Sequence, residues 1–269
     1  MKKLHIVLVV LVLPFIFINK PQAQDEINAS MYDIPPRWLV DLPTAGTLPR
    51  GYYNIGFRFY TGGGAIANTD IGLSSRLMMG ISYGAEKVIS NDSPDWNPRL
   101  EFSLKFRLVD EMEYFPAITV GYSSQGNGAY SETYDRFTFK SRGFFGVVSR
   151  SFYFYQWTSG WHFGVNYSLE KDVDGDKTVN FFGGFDATFN YNLALIAEYD
   201  LALNDDRSTL PNGQPNVFGG KGRGYLNFGV KWLFTENLEM EAIIKDVLIN
   251  RKESETVTRE IRINYIDKF

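Results

Sequence analysis

The stretch Arg99–Tyr122, RLEFSLKFRLVDEMEYFPAITVGY, decides the fold. Its first ten residues alternate strictly between polar and large apolar side chains. The apolar set is Leu100, Phe102, Leu104, Phe106 and Leu108, and the polar set is Arg99, Glu101, Ser103, Lys105 and Arg107. Successive side chains of a β-strand point to opposite faces, so this strand has one wholly apolar face and one charged face. A soluble β-sandwich rarely combines two such faces, and the pattern favours a strand between lipid and water.

The alternation resumes after the acidic turn 110–113, with Ile118, Val120 and Tyr122 on one face. The two strands therefore form an antiparallel hairpin. The pattern recurs to the end of the chain and predicts about twelve strands, each near the length that a tilted membrane strand needs. The predicted strands are 51–60, 65–74, 77–86, 99–108, 117–122, 143–155, 161–170, 181–189, 193–201, 226–234, 238–245 and 256–269.

The links between these strands alternate in length, since every long link is followed by a short one. Long outer loops and short periplasmic turns are typical of outer-membrane barrels. The sequence therefore predicts an all-β fold, a single antiparallel transmembrane β-barrel of about twelve strands at residues 51–269. An even strand count places both termini on the periplasmic side of the outer membrane of a Gram-negative cell.

The first residues predict export. Lys2 and Lys3 precede an apolar run from Ile6 to Ile18, and Ala23 stands at a suitable cleavage point. Residues 1–23 are therefore a predicted signal peptide, because the run is shorter than the 18 or so residues of a membrane anchor. Residues 24–50, rich in proline, are predicted as an irregular periplasmic lead-in, which either lies in the periplasm or is tucked into the barrel end.

Composition excludes several classes of protein. The chain has no cysteine, which excludes a disulfide scaffold and a lipidated-cysteine anchor. Cleavage after residue 23 removes three of the 27 basic residues and no acid, which leaves 24 against 31 acidic residues, a net charge of −7. A nucleic-acid partner is excluded because no basic field remains. Aromatic residues make up 16%, as the aromatic girdles of a barrel require.

The C-terminal strand resembles the assembly signal of bacterial outer-membrane barrels. Phe269 is the last residue, and Ile261, Ile263 and Tyr265 lie on its face at even spacing. The resemblance implies the barrel assembly machinery as a partner.

Few residues could carry chemistry. His162 lies on the predicted inner face, with Ser149 and Ser151 on the neighbouring strand, but the spacing identifies no third group to orient the histidine. The turn 172–178, DVDGDKT, is similar to the start of a calcium loop, yet it lacks the distal glutamate and is favoured as a solvated hairpin turn. No cofactor, metal or catalytic residue is predicted.

Charged residues of both signs fall on the predicted inner faces. They are Arg58, Glu86, Arg99, Glu101, Lys105, Arg107, Glu170, Glu198, Asp200, Lys231, Glu239, Glu241, Lys245, Glu260 and Arg262. Ion pairing across adjoining strands is expected, with Arg58, Arg99, Lys105 and Arg107 bonded to acids such as Glu86, Glu101 and Glu260. Two interpretations stay open. The lumen is either closed by these pairs, or it is a polar path or a binding site for a hydrophilic polymer.

Two segments resemble the YjbH family of outer-membrane proteins, which is linked to exopolysaccharide production. The first is LPTA at 42–45 with LPRG at 48–51. The second is FRLVDEMEYFPA at 106–117, followed by a glycine-rich stretch to 130 and by VVSR at 147–150. The resemblance covers roughly residues 40–170. It implies a barrel and an exopolysaccharide context, and it transfers no catalytic residues.

These observations lead to three hypotheses of function. The first is a non-enzymatic outer-membrane barrel that assists exopolysaccharide secretion or envelope assembly, with membrane lipid, polysaccharide or other envelope proteins as partners. The second is a structural or partner-binding barrel within a larger outer-membrane complex. The third is a surface barrel hydrolase that uses His162.

Overall fold

The computed structural model of the chain describes residues 34–154, 157–189 and 192–269. The predicted signal peptide, 1–23, and residues 24–33 lie outside these ranges. No helix among the described residues is long and apolar enough to cross a membrane. The strands in these ranges are β1 (Tyr52–Tyr60), β2 (Gly64–Gly72), β3 (Leu77–Glu86), β4 (Asp95–Trp96), β5 (Glu101–Val109), β6 (Ala117–Ser123), β7 (Asn127–Ser131), β8 (Arg136–Phe139), β9 (Gly143–Phe154), β10 (Trp157–Tyr167), β11 (Asn180–Phe189), β12 (Leu193–Asp200), β13 (Tyr225–Leu233), β14 (Leu238–Lys245) and β15 (Thr258–Lys268).

Twelve of these strands form one closed antiparallel barrel. Each barrel strand pairs with the next along the chain, and β1 closes the ring by pairing with β15 as well as with β2. The remaining strands lie outside the ring: β4 extends the edge beside β3, and β7 and β8 form a separate hairpin within the link from β6 to β9. The predicted all-β, twelve-stranded fold is confirmed. The β7–β8 hairpin was not predicted, because residues 124–141 show no sustained alternation.

The two faces of the strands are those that the alternation predicts. Leu104 on β5 is 46% exposed on the outside, whereas its neighbour Lys105 is fully buried on the inside. Outward apolar side chains continue around the ring, for example Val120 on β6, Phe228 on β13 and Ile261 on β15. A closed barrel with an apolar outer surface is the arrangement that outer-membrane barrels present to lipid.

The start of β10 differs from the prediction. The strand begins at Trp157 instead of Trp161, and its first residues pair with the end of β9. The rings of Phe154 and Trp157 stack there, with centroids 4.1 Å apart. This aromatic contact extends the hairpin by four residues past the polar Thr158 and Ser159, which the sequence pattern had assigned to a turn.

The connections differ at the two ends of the barrel. The links 87–100, 124–142, 168–179, 201–224 and 246–257 lie at one end, here called the long-loop end. The links 73–76, 110–116 and 234–237 lie at the other, the short-turn end, where β1 also begins and β15 finishes.

Residues 37–48 lie inside the barrel, which agrees with the second of the two positions expected for the lead-in, tucked into the barrel, for this part of the chain. This plug segment has no regular strand, and most of it is fully buried. Irregular backbone inside a barrel requires partners for its N–H and C=O groups. The inward polar side chains of the wall supply them, so the segment is stable in the lumen.

Candidate functional site

Glu198 on β12 is the first anchor of the plug segment. Its carboxylate accepts hydrogen bonds from three consecutive backbone N–H groups, those of Val40, Asp41 and Leu42, each at 2.9 Å. Asn227 on β13 donates a fourth at 2.7 Å. Hydrogen bonds to an ionised acceptor are about twice as strong as neutral ones. The buried negative charge therefore holds the chain at this point.

Asp41 is the second anchor, and it bonds to three wall cations. The Asp41 cradle consists of Arg58 on β1, Lys245 on β14 and Arg262 on β15. Arg58 and Arg262 contact Asp41 Oδ1 at 2.9 and 3.1 Å, and the Lys245 ammonium lies 2.5 Å from Oδ2. Glu260 bonds the same three cations from the other side. A buried ion is tolerated only where such partners surround it.

On the opposite wall, Lys105 binds backbone instead of an acid. Its ammonium donates to the carbonyls of Arg37 and Gly46, each at 2.7 Å, and lies 5.4 Å from the centre of the Trp38 ring. Nearby, the Thr119 hydroxyl donates to the Ala45 carbonyl at 3.0 Å. The expected ion pair of Lys105 with an acid is absent among the described residues, because plug carbonyls take that place.

Close packing accompanies these polar contacts. A Cβ added to Gly184 on β11 would lie 2.6 Å from the Ala197 carbonyl oxygen and 2.5 Å from Leu39 Cδ1, and one added to Gly46 would lie 2.4 Å from the Pro36 carbonyl oxygen. Real Cβ atoms do not approach so closely, so both positions require glycine. The plug segment thus contacts the wall at several strands, namely β1, β5, β6, β11, β12, β14 and β15.

The other predicted lumen charges follow several patterns. Arg58 forms the expected cross-strand pair with Glu260, at 2.6 Å, whereas Arg99 pairs with Glu101 two residues away on its own segment, at 2.9 Å. The Glu86 carboxylate accepts from the Tyr60 hydroxyl. Further contacts are Arg107 with Thr47, the Ser75 carbonyl and Asp110, Lys231 with Glu239 and Glu241, and Arg262 with Glu241.

His162 lies between two side chains of neighbouring strands. Its Nδ1 is 2.7 Å from Ser149 Oγ and its Nε2 is 2.8 Å from Asp186 Oδ1. The Ser149 hydroxyl also accepts the N–H of Ala45 at 2.8 Å, so the plug segment covers it. The sequence identified Ser149 and His162 but not Asp186. The inward facing of Asp186 follows from the alternation of β11, but its distance from His162 depends on a strand register that the sequence does not specify.

A second buried cluster joins the loops of the long-loop end. Arg136 on β8 is 1% exposed and pairs with Asp174 at 3.1 Å and with Asp205 at 2.5 Å, while Lys140 contacts Asp174 at 2.7 Å. These four residues form the loop cluster, and they join three long links. The expectation of a solvated turn at 172–178 is wrong for Asp174, because Arg136 and Lys140 bury its carboxylate.

Glu170 fastens the β7–β8 hairpin to the neighbouring loop. Its carboxylate accepts the N–H of Ser141 at 2.6 Å and that of Phe137 at 3.2 Å. Burial raises the pKa of Glu170 to about 7 from its usual 4.5. This loop contact therefore changes charge near neutral pH.

A cavity of about 220 Å³ remains in the lumen beside the plug segment. Its lining reaches from Asn192 and Leu233 near the short-turn end to Gln125 near the long-loop end, and it includes Asp41 and Arg58. The plug segment therefore occupies part of the lumen, and this cavity runs beside it. Within residues 34–154, 157–189 and 192–269, no three His, Asp or Glu side chains are grouped as a metal site would require.

The C-terminal residues lie where the alternation places them. Ile261, Tyr265 and Phe269 are exposed on the outer face, and Ile263 is half-buried. Tyr53 of β1 contacts two of them, with ring centroids 6.4 Å from Tyr265 and 5.0 Å from Phe269. The role of these residues in assembly stays a prediction.

Comparison with known proteins gives fold-level similarities. No family model matches the chain, and no curated protein sequence matches it. The resemblance to the YjbH family is therefore not confirmed. Among solved structures, the chain is similar to the KdgM porin, at 8% identity over 80% of this chain and 98% of that one, with a TM-score of 0.47. It is also similar to the NanC porin, at 10% identity over 81% and 99% with a TM-score of 0.44. A third similarity is to the Acinetobacter baumannii outer membrane protein Omp33, at 8% identity over 82% and 99% with a TM-score of 0.43.

Proposed function

We propose that this chain is a non-enzymatic outer-membrane barrel that is closed by its own plug segment and opens when that segment leaves the wall. The observation that carries the proposal is the bonding of Glu198 to three consecutive plug N–H groups. This contact fixes irregular backbone across the lumen, where it obstructs the path through the barrel. The Asp41 cradle and Lys105 add two further attachments on other sides of the wall.

The location follows from the outer surface. Side chains such as Leu104 and Phe228 are exposed around a closed ring, and lipid would remove that apolar area from water at about 25 cal/mol per Å². The long-loop end faces outward in this proposal, and both termini are periplasmic. The protein should fractionate with outer membranes and change its gel mobility on boiling. Recovery as a soluble periplasmic protein would overturn the proposal.

The biological role proposed is assistance in exopolysaccharide secretion or envelope assembly. Support comes from the resemblance of residues 40–170 to the YjbH family and from a plug that a partner or a polymer could displace. Deletion of the gene should reduce secreted polysaccharide, and the unmodified gene should restore it. If secretion is unchanged and the barrel instead purifies in fixed ratio with another envelope protein, the structural or partner-binding alternative holds.

The C-terminal residues Ile261, Ile263, Tyr265 and Phe269 are proposed as the contact with the barrel assembly machinery. Removal of Phe269 should lower the amount of folded barrel in the outer membrane. Removal of exposed Glu255, in a loop at the other end of β15, is the control and should have little effect.

Labelling of the plug segment tests closure directly, because the chain has no cysteine of its own. Thr44 is fully buried in the plug segment and Ser90 is exposed in a loop. In outer-membrane vesicles, a Thr44→Cys variant should react with a water-soluble maleimide far more slowly than a Ser90→Cys variant. Equal labelling rates would show that residues 37–48 do not occupy the lumen.

The hydrolase remains the second candidate, because Ser149, His162 and Asp186 form a hydrogen-bonded array like that of serine hydrolases. The array is reversed relative to that template, since the Nδ1 atom of His162, instead of Nε2, faces the serine. In addition, the Ala45 N–H donates a hydrogen bond to the Ser149 hydroxyl oxygen. A variant with the plug released should be assayed on a p-nitrophenyl ester. Hydrolysis that Ser149→Ala abolishes would favour the enzyme, and no hydrolysis would favour a polar anchor for the plug segment.

A further inference from the structure

We propose that the Asp41 cradle is a binding site for a soluble carboxylate, and that Asp41 fills this site while the barrel is closed. A carboxylate that enters the lumen then competes with Asp41 and favours release of the plug segment. The inference rests on the proposed function, since it treats residues 37–48 as a plug that can leave.

The three cations of the cradle are held in place by the barrel, whereas Asp41 lies on a segment that can leave. Arg58, Lys245 and Arg262 belong to three adjoining strands and are held by the barrel ladder. Asp41 belongs to an irregular segment with no ladder of its own. The two Asp41 oxygens are shared between two guanidinium groups on Oδ1 and one ammonium on Oδ2. This arrangement matches the two oxygens of any carboxylate.

The direct contacts of the cradle favour an anion at this point. Without Asp41, the three cations of the cradle contact two carboxylates, those of Glu241 and Glu260. Lys231 and Glu239, which adjoin Glu241, add one charge of each sign. Glu198, which accepts the Asp41 N–H, adds a negative charge beside the cradle but forms no ion pair with its cations. The three cations therefore have one carboxylate too few among their direct contacts, and an anion in the place of Asp41 restores the balance.

Access to the cradle already exists. Asp41, Arg58 and Arg262 all line the lumen cavity of about 220 Å³, which is large enough for several water molecules or a small organic anion. A solute that enters this cavity during a brief opening meets the edge of the cradle beside Asp41.

Chemical rescue provides the test. An Asp41→Ala variant removes the carboxylate and leaves space for acetate, whereas Asp41→Asn removes the charge and keeps the space filled. Single-channel open probability is measured in planar bilayers at constant ionic strength, with methanesulfonate as the non-carboxylate anion. Acetamide, which has the shape of acetate and no charge, is the solute control.

Both variants should open more often than the unmodified protein. Acetate should lower the open probability of Asp41→Ala about tenfold, the effect of one charge-assisted hydrogen bond. Acetamide should have no effect, and Asp41→Asn should not respond to acetate. Acetate should have the opposite effect where Asp41 is present. In a chain that carries only Thr44→Cys, acetate should displace Asp41 and raise the rate of maleimide labelling.

Three results would overturn the inference: an open Asp41→Ala channel that acetate does not close, an equal response to acetamide, or an Asp41→Ala channel as closed as the unmodified one. If Asp41→Ala does not insert as a heat-modifiable barrel, the labelling of Thr44→Cys decides, and no increase with acetate overturns the inference. A large steady conductance from the unmodified protein would instead refute the proposed closure, whatever acetate does.

Discussion

Replacement of Glu198 by glutamine tests the main anchor of the plug segment. The substitution keeps the size of the side chain but removes its charge and turns one acceptor oxygen into a donor. The Val40, Asp41 and Leu42 N–H groups, each 2.9 Å from the carboxylate, then face a neutral amide. The rest of the wall, including the Asp41 cradle, is unchanged.

The free energy lost on docking of the plug segment can be worked out from the three hydrogen bonds. A hydrogen bond to a charged group contributes roughly 1 kcal/mol more than a neutral one, so three bonds lose about 3 kcal/mol. Since about 1.4 kcal/mol corresponds to a factor of ten, the ratio of docked to released plug should fall about a hundredfold. The barrel itself should persist, because no ladder hydrogen bond is removed.

The assay is single-channel recording, with Glu236→Gln as the matched control. Glu236 is an exposed glutamate in the turn before β14, so its variant should behave like the unmodified protein. Glu198→Gln should open far more often than both. A Glu198→Gln barrel that inserts normally and stays as closed as the control would refute the anchoring role of Glu198.

Three further predictions concern the loop cluster, the loop contact of Glu170 and the lipid face. Arg136→Met removes the ion pair of the buried Asp205 and leaves Asp174 with Lys140 alone, and it should destabilise the long-loop end by about 3 to 5 kcal/mol. Arg76→Met breaks an exposed pair and should cost under about 1 kcal/mol, as thermal unfolding will measure. Because burial raises the pKa of Glu170 to about 7 from 4.5, the folded state binds this proton more tightly than the unfolded chain. The folded loop around Glu170 should therefore lose stability as pH rises from 4.5 through about 7, because the buried carboxylate then carries a charge. The hydrogen-exchange protection factors of residues 137–141, which are corrected for the pH dependence of exchange itself, should be lower at pH 8 than at pH 6, and Glu170→Gln should abolish this difference. Leu104→Arg should cost about 2 to 4 kcal/mol in a lipid-folding assay, and a cost equal to that of Leu104→Phe would contradict the outward facing.

The barrel was predictable because strand alternation is a local property. The faces of β5 can be read from the residues 99–108 alone, since each side chain lies opposite its neighbours in the sequence. The alternation of long and short links then gives the strand order and the two ends. The bounds of β10, the short strand β4 and the β7–β8 hairpin depart from it, and all three depend on contacts beyond the strand itself.

The plug segment was not predictable in the same way. Residues 37–48 have no period, and their stability comes from bonds to Glu198, Lys105 and the Asp41 cradle, which lie far away in sequence. The predicted inward charges were the relevant residues, and a lead-in tucked into the barrel end was one of the open alternatives. The expected pairing among these charges did not include the backbone and the carboxylate of that segment. The excess of wall cations around Asp41 is apparent only when β1, β14 and β15 are placed side by side.

Planar-bilayer recording of the unmodified protein tests the central claim, closure by the plug segment, most directly. The account predicts that the unmodified protein stays closed for long periods with at most brief openings. Glu198→Gln, prepared and recorded in the same way, should conduct steadily. A large, steady, porin-like conductance from the unmodified barrel would contradict the account, because it would mean that residues 37–48 do not close the lumen.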